Sequence, residues 1–435
     1  MNHLKTADVL GLGFMTFALF LGAGNIIFPP SVGMAAGASV WSAALGFLLT
    51  AVGLPLLTVV ALARVGGGMA RLTAPLGRRA GLLFAVAVYL AIGPLFATPR
   101  TAVVSFEMGV ASFTGNAPLP LGLYTLAYFA AVLFLVLNPG RLLERIGKMI
   151  TPVLIIGLLL LGGAAVFAPA GEVGNSIAPA YREAPLLQGF LQGYLTMDTL
   201  GALVFGIVIA TAIRDHGIDM AHRVTRYSIL AALIAATGLA LVYLALFRLG
   251  ATSQGIAAGA QNGVQILTTY VRYTFGMPGE LLLALVITLA CLTTAVGLIA
   301  ACGEFFRSQF GLPYRTVVVL TSLFSLLLAN QGLTQLIGVS LPVLVGLYPL
   351  AIVLVLLSLA DRLWRHPPRV FVPVMAVALV FGVSDGLVAA GFKAAVPAFL
   401  ARLPLAEHSL GWLLPVLATL LLVAVIDRAL GRPQA

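Results

Sequence analysis

The chain has 435 residues, 61% of them hydrophobic and only 9% charged. A water-soluble domain carries about 25% charged residues, so that class is excluded and a polytopic membrane protein is indicated. A net charge of +10 would suit nucleic acid, but the basic residues sit in short stretches between apolar runs, as membrane topology requires.

Runs of about 17–25 apolar residues are long enough to cross a bilayer as helices. Twelve occur, at 8–30, 39–63, 80–111, 120–138, 143–168, 187–212, 225–249, 279–305, 314–329, 333–359, 369–390 and 409–427. The first is long and lacks a small-x-small cleavage site, so no cleavable signal peptide is expected. Basic residues cluster at Lys5, at Arg64, Arg71, Arg78 and Arg79, at Arg141, Arg145 and Lys148, and at Arg214, Arg223 and Arg226. They cluster again at Arg307 and Arg315, at Arg362, Arg365 and Arg369, and at Arg428 and Arg432, making 18 of the 24. The opposite loops and the helices hold Arg100, Arg182, Arg248, Arg272, Lys393 and Arg402. This bias predicts an even number of spans with both termini in the cytoplasm.

The first run contains Gly22-Ala23-Gly24-Asn25, followed by Pro29-Pro30. Glycines, a backbone-competing Asn and two prolines are poor material for one continuous helix. A break inside lipid is tolerated where it lines a protein-enclosed cavity, so the stretch reads as a discontinuous helix. The alternative is a glycine-packed helix contact. The third run carries Gly93-Pro94-Leu95-Phe96-Ala97-Thr98-Pro99-Arg100 at membrane depth. Arg100 and Glu107 lie seven residues apart on one helix face, too far along the axis to pair tightly. Asp198, Glu107 or backbone carbonyls are possible partners for Arg100, in a structural or a coupling role.

The sixth run contains Gly193-Tyr194-Leu195-Thr196-Met197-Asp198-Thr199-Leu200-Gly201. Asp198 is an acid at membrane depth and open to three roles: holding an ammonium group, coupling to a cation or proton, or capping a half-helix. Residues 250–278 start polar and become amphipathic from Val264 to Phe275, as an external lid would. In the eighth run Thr293-Thr294 is an oxygen pair that could meet a cation, or could bond back to the preceding turn. Cys291 and Cys302 share this segment and read as small buried hydrophobes. Glu304 with Arg307 reads as an interfacial pair, and Asp385 as structural.

Gly13-Phe14-Met15-Thr16 echoes Gly193-Tyr194-Leu195-Thr196, and the stretch from Gly53 to Arg64 loosely echoes that from Gly238 to Arg248. Helices 1 and 2 thus match 6 and 7, and an odd offset of five helices inverts the second copy. The expected fold is all-α and transmembrane. It has twelve helices in a single transporter domain: repeat one at about 8–168, repeat two at about 187–359, and extra helices at about 369–427. Broken helices at matching positions of two repeats mark a midplane site. Amides at Ala23, Gly24 and Asn25 could receive a carboxylate. Thr196, Thr199 and the carbonyls around Gly201 could receive an ammonium group, so an amino acid would suit both breaks. All five histidines lie in termini or loops, and no HExxH or GxSxG stands in a helix, so an enzyme is not expected. Nor is there a carbonyl-ring filter motif of the channel kind.

The runs GFMTFALFLGAGNIIFPP (13–30), GPLFATPRTAVVSFE (93–107), GYLTMDTLGALVFGIVI (193–209) and ACLTTAVGLIAACGEFF (290–306) resemble those of the bacterial branched-chain amino acid:cation symporters, the LIV-II carriers. The similarity runs from Leu10 to Arg428. That family is a branch of the amino acid–polyamine–organocation superfamily, whose members share a five-plus-five inverted repeat with discontinuous helices 1 and 6. The resemblance implies sodium-driven uptake of leucine, isoleucine and valine across the inner membrane. No cofactor beyond the coupling ion, no nucleic acid and no obligate protein partner is implied. It places the substrate carboxylate on amides of Gly22, Ala23, Gly24 and Asn25. It places the side-chain pocket on helices 3 and 6, at Phe96, Ala97 and Met197, beside the contacts at Thr196, Asp198, Thr199 and Gly201 read from the sixth run. Sodium would meet backbone oxygens of Ala18, Leu21 and Ala290 and the hydroxyls of Thr293 and Thr294. Sodium-coupled relatives usually lack an acid at the position of Asp198. A proton-coupled transporter or exporter using Asp198 or Glu107 is therefore the alternative.

Overall fold

The computed structural model describes residues 4–429 apart from 67, 116, 138–140, 219, 402 and 404, with the backbone alone for 141–152, 207, 398, 401 and 407. Arg402 and Arg432 of the charge pattern lie outside the described residues. Every regular element among the described residues is helical. The principal helices are α1 (Thr6–Phe20), α2 (Ala23–Ala36), α3 (Val40–Leu48), α4 (Leu54–Val65), α5 (Arg78–Leu90), α6 (Ala97–Gly109), α7 (Pro118–Leu137) and α8 (Arg141–Phe167). They continue as α9 (Pro185–Gly193), α10 (Asp198–Asp215), α11 (Ala221–Thr252), α12 (Gly263–Phe310), α13 (Tyr314–Ala329), α14 (Leu333–Leu359), α15 (Pro367–Ala389) and α16 (Leu413–Ala429). Among the described residues, seven helical stretches are long and apolar enough to cross a membrane, and the pair Pro185–Thr196 with Asp198–Asp215, bent by 42°, makes an eighth if taken as one span. Thr6–Phe20, Val153–Phe167 and Tyr314–Ala329 are apolar but shorter.

Glycine sets how closely these helices approach. A Cβ on Gly33 of α2 would stand 2.2 Å from the Phe247 carbonyl oxygen of α11, and one on Gly250 would stand 2.1 Å from that of Pro30. Gly46 of α3 and Gly189 of α9 make a reciprocal contact, each built Cβ falling 1.9 Å from a carbonyl oxygen of the other helix. Without a hydrophobic drive between helices in lipid, such backbone approach supplies the packing. Cys291 and Cys302 are free and buried, as their apolar setting predicts. Arg307 donates to Glu304 at 2.8 Å in an exposed pair.

Pro29 and Pro30 do not end a helix, contrary to the first run's expected limit at residue 30. They lie inside α2, which continues to Ala36. Proline removes one donor each, freeing the carbonyls of Asn25 and Ile26 from their helical partners, but both residues are buried among other helices that hold the axis. The sequence echo is also out of register with the breaks. Gly13 lies two turns before the end of α1, whereas Gly193 is the last residue of α9.

Residues 263–275, the stretch expected to act as a lid, form a helix that Gly276 (φ +64°) separates from the long remainder of α12. The lid buries Val264, Ile266, Leu267, Tyr270 and Val271. A Cβ on Gly263 would fall 1.7 Å from the Ile27 carbonyl oxygen, so the lid's first residue rests directly on the α2 backbone.

Candidate functional site

Three helix interruptions converge on one cavity. Between α1 and α2, Leu21 leaves the helical region (φ −72°, ψ 83°) and Gly22 is extended. The Gly22 N–H donates to the Phe20 carbonyl at 2.8 Å and to Asn25 Oδ1 at 3.0 Å, so Asn25 caps the half-helix it belongs to. The amides of Ala23 and Gly24 lead α2 and have no intrahelical acceptor.

Between α9 and α10, one tight turn at Tyr194–Thr196 gives way to Met197, a non-glycine residue in the left-handed region (φ +63°). Thr196 donates to the Gly193 carbonyl at 2.9 Å and accepts from the Asp198 N–H at 3.4 Å. Asp198 opens α10, where the helix dipole favours an anion. The third interruption is a wide turn at Ala91–Leu95 between α5 and α6, where Gly93 (ψ −106°) departs from helix.

The two main breaks are bonded together. Asn25 Nδ2 donates to Asp198 Oδ2 at 2.7 Å, the Tyr243 hydroxyl of α11 donates to the same oxygen at 2.9 Å, and Asn25 Nδ2 also contacts the Tyr243 oxygen. Asn25, Asp198 and Tyr243 are all buried. Their backbones nearly touch as well: a Cβ on Gly24 would stand 3.2 Å from Thr196 Cα and 3.4 Å from the Leu195 carbonyl oxygen.

The cavity and its mouth together enclose about 440 Å³ of space not occupied by atoms, open solvent included. Gly22, Ala23, Gly24, Asn25, Ala97, Arg100, Thr196, Met197, Asp198, Gly201 and Thr294 line it. Phe96 does not; it is buried at the end of the wide turn, beside Ala97. Thr199 points to α3's continuation, donating to the Thr50 carbonyl at 3.3 Å. Thr293 bonds back to the Ala290 carbonyl at 2.9 Å, while the buried Thr294 hydroxyl has no partner and its methyl stands 3.5 Å from a Cβ built on Gly22. Ala18, Leu21 and Ala290 are near this point in sequence but do not line the cavity.

Arg100 pairs with neither Asp198 nor Glu107; it donates to the Leu195 carbonyl. Glu107 accepts from Asn262 Nδ2 at 2.9 Å, and Asn262 in turn caps the lid helix through the Gln265 N–H at 3.1 Å. Glu107 therefore serves the lid. Glu107→Gln is expected to cost about 1 kcal/mol or less, because the amide oxygen can still accept. It should loosen the lid, raising amide hydrogen exchange across residues 263–275 while leaving exchange in α10 unchanged.

Leu19, Phe20, Ile92, Thr101, Phe205 and Leu298 also line the cavity and were not singled out in the sequence. Helical periodicity would have found three of them. Thr101, Phe205 and Leu298 each follow a lining residue (Ala97, Gly201, Thr294) by four positions, on the same helix face. Phe20 and Phe205 meet edge to face at 6.3 Å between centroids. The result is an apolar chamber with amides and an unpartnered hydroxyl at one side, an acid already committed to neighbours, and a buried guanidinium.

A family model described as branched-chain amino acid transport protein matches residues 5–430. The branched-chain amino acid transport system 2 carrier protein of Pseudomonas aeruginosa is 74% identical, over 100% of this chain and 99% of its own length. The branched-chain amino acid permease BrnQ of Escherichia coli K12 is 52% identical over 99% and 98% of the two chains. In Bacillus subtilis, the branched-chain amino acid permease BraB is 42% identical over 95% and 94%. Among solved structures, Mhp1, a nucleobase-cation-symport-1 family transporter, superposes with a TM-score of 0.61 at 16% identity, over 97% of this chain and 92% of its own. MhsT in complex with L-phenylalanine superposes at 0.53 and 15%, over 95% and 98%. At such low identity the two likenesses concern the fold, which is that of membrane transporters.

Proposed function

The chain belongs to the branched-chain amino acid transport protein family, a family of multi-pass transporters and not of enzymes, and from that premise we propose that it is a sodium-coupled symporter. Its substrates are leucine, isoleucine and valine, imported across the bacterial inner membrane. The observation that carries the reading is the cavity onto which two bonded helix breaks open. In this reading the chain forms one domain of twelve spans with both termini cytoplasmic. Spans 1–5 and 6–10 repeat in inverted order, at about 8–168 and 187–359, and the last two spans lie outside. The broken pairs α1–α2 and α9–α10 are then the first span of each repeat.

Sodium binds beside Thr294, between the first break and α12, and favours the outward-open state. The unpartnered Thr294 hydroxyl supports this, because a buried hydroxyl without a partner costs energy that a cation would recover. The substrate carboxylate meets the leading amides of α2, at the positive end of the helix dipole. Its ammonium group faces Thr196 and the carbonyls toward Gly201, beyond the Leu195 carbonyl that Arg100 occupies. The aliphatic tail lies among Ile92, Phe205 and Leu298. The loaded carrier then rocks to face inward. Selectivity among the three side chains is modest, since one methylene in such a pocket is worth about 1–3 kcal/mol.

Replacing sodium by choline at fixed pH, while following leucine uptake into proteoliposomes, tests the coupling. Undiminished uptake would reject it in favour of protons, for which the buried Asp198 between the breaks is the specific support. Thr294→Ala is expected to raise the sodium concentration for half-maximal uptake by about tenfold, as loss of one oxygen contact to a cation implies. At saturating sodium its uptake should stay within about twofold of wild type. An unchanged sodium dependence would remove Thr294 from the ion's path.

A further inference from the structure

Arg100 is 2% exposed, and its guanidinium has only neutral company. Nη1 donates to the Leu195 carbonyl at 2.6 Å, Nη2 donates to Ser340 Oγ at 3.1 Å, and the group lies 5.2 Å from the centre of the Phe28 ring. Its Nε–H has no acceptor. Among the described residues no carboxylate pairs with it. Asp198, in the same cavity, is turned to Asn25 and Tyr243, and Glu107 is taken by Asn262. The interior therefore contains a cation without a counter-ion, an arrangement that is costly unless something supplies the charge.

The placement says what would supply it. Arg100 lines the cavity. The Leu195 carbonyl that it holds is the one Gly24 approaches, and Phe28, under the guanidinium, is one turn beyond Gly24 on α2. The guanidinium and the first turn of α2 thus both adjoin the Leu195 carbonyl. A purely structural arginine would be neutralised by the protein; this one is oriented by two neutral acceptors and left charged.

We propose that Arg100 is the charge partner of the substrate's carboxylate, and so the residue that makes the carrier select acids over uncharged analogues of the same shape. The proposal deepens the amino acid carrier reading and rests on it. The α2 amides alone would accept a carboxylate or a carboxamide oxygen; a buried guanidinium discriminates between them, because an amide leaves its charge unanswered.

The test is binding of radiolabelled leucine to the purified carrier, displaced by leucine, by leucinamide and by 3-methylbutylamine. Wild type should prefer leucine to leucinamide by about 100-fold or more. Arg100→Gln should weaken leucine by about 100-fold and leave leucinamide within about threefold, so that the preference collapses. Equal losses for acid and amide, or an intact preference, would overturn the proposal. Arg100→Lys keeps the charge but loses the fork, and is read if the glutamine variant does not fold. Its acid-to-amide ratio should fall by more than about threefold, and a smaller change overturns the assignment. The wild-type arm is separate: failure to bind leucine, isoleucine and valine would sink the branched-chain reading, while the ratio, taken on whichever α-amino acid binds, still decides Arg100.

Discussion

Asn25→Ala should nearly abolish leucine uptake, lowering the initial rate in proteoliposomes by about 100-fold and costing about 3–5 kcal/mol of stability. The side chain makes three contacts from one position: it accepts from the Gly22 N–H, donates to Asp198 and contacts Tyr243. Alanine uncaps α2 and takes from the Asp198 carboxylate, which is 4% exposed, the donor that stands beside the Tyr243 hydroxyl. Bonds to charged groups are worth about 1.5–3 kcal/mol, and a buried group left unpaired loses its hydration without recompense. The effect on transport should exceed that on folding, since Asn25 is the tie that holds one break in register with the other. Tyr243→Phe removes only one donor and should cost about 1–2 kcal/mol. Uptake and thermal unfolding in detergent would read both variants. An Asn25→Ala carrier within twofold of wild type on both counts would mean that the two breaks do not depend on their cross-link.

The second large effect is steric. Gly189→Ala places a methyl 1.9 Å from the Ala43 carbonyl oxygen, with Ala43 C at 2.7 Å and Cα at 2.9 Å. All three are backbone atoms, so no rotamer relieves the clash and α3 and α9 must move apart. Overpacking of this kind costs about 3 kcal/mol or more where the neighbour is rigid. Because α9 runs into the break at Tyr194–Thr196, the displacement also reaches the cavity and should lower uptake by at least about tenfold. Gly157→Ala in α8 is the matched control: its methyl meets nothing within 4 Å, and alanine's higher helix propensity makes it neutral or stabilising by up to about 1 kcal/mol. Equal melting temperatures for the two variants would show that α3 and α9 are not in backbone contact.

The breaks were legible in the residues because they are local events. The break expected at Gly22-Ala23-Gly24-Asn25 falls at Leu21–Gly22, with Ala23 already opening α2, and the one expected around Thr196–Gly201 falls at Met197, with Asp198 opening α10; both stretches face the cavity. Pro29-Pro30 was misleading for the complementary reason: a proline's cost is set by neighbours that can hold the axis, and α2 has them on several sides. The echo of Gly13 in Gly193 compared residue types along two apolar helices, where small matches arise by composition, and so missed the register of the breaks. For Arg100 three candidate partners were visible in sequence, and the carbonyl of Leu195 proved the relevant one only once the turn after α9 was brought to α6.

The all-helical, apolar class and the neighbourhoods of the two main helix breaks were determined by the chain alone, since each is a sum or an interruption over neighbouring residues. The company of each polar side chain was decided by tertiary structure. Asp198 meets residues 173 and 45 positions away, and Arg100 meets groups 95 and 240 positions away. Such meetings depend on the depth and rotation of each packed helix, which glycine contacts set to within an ångström and no local pattern encodes.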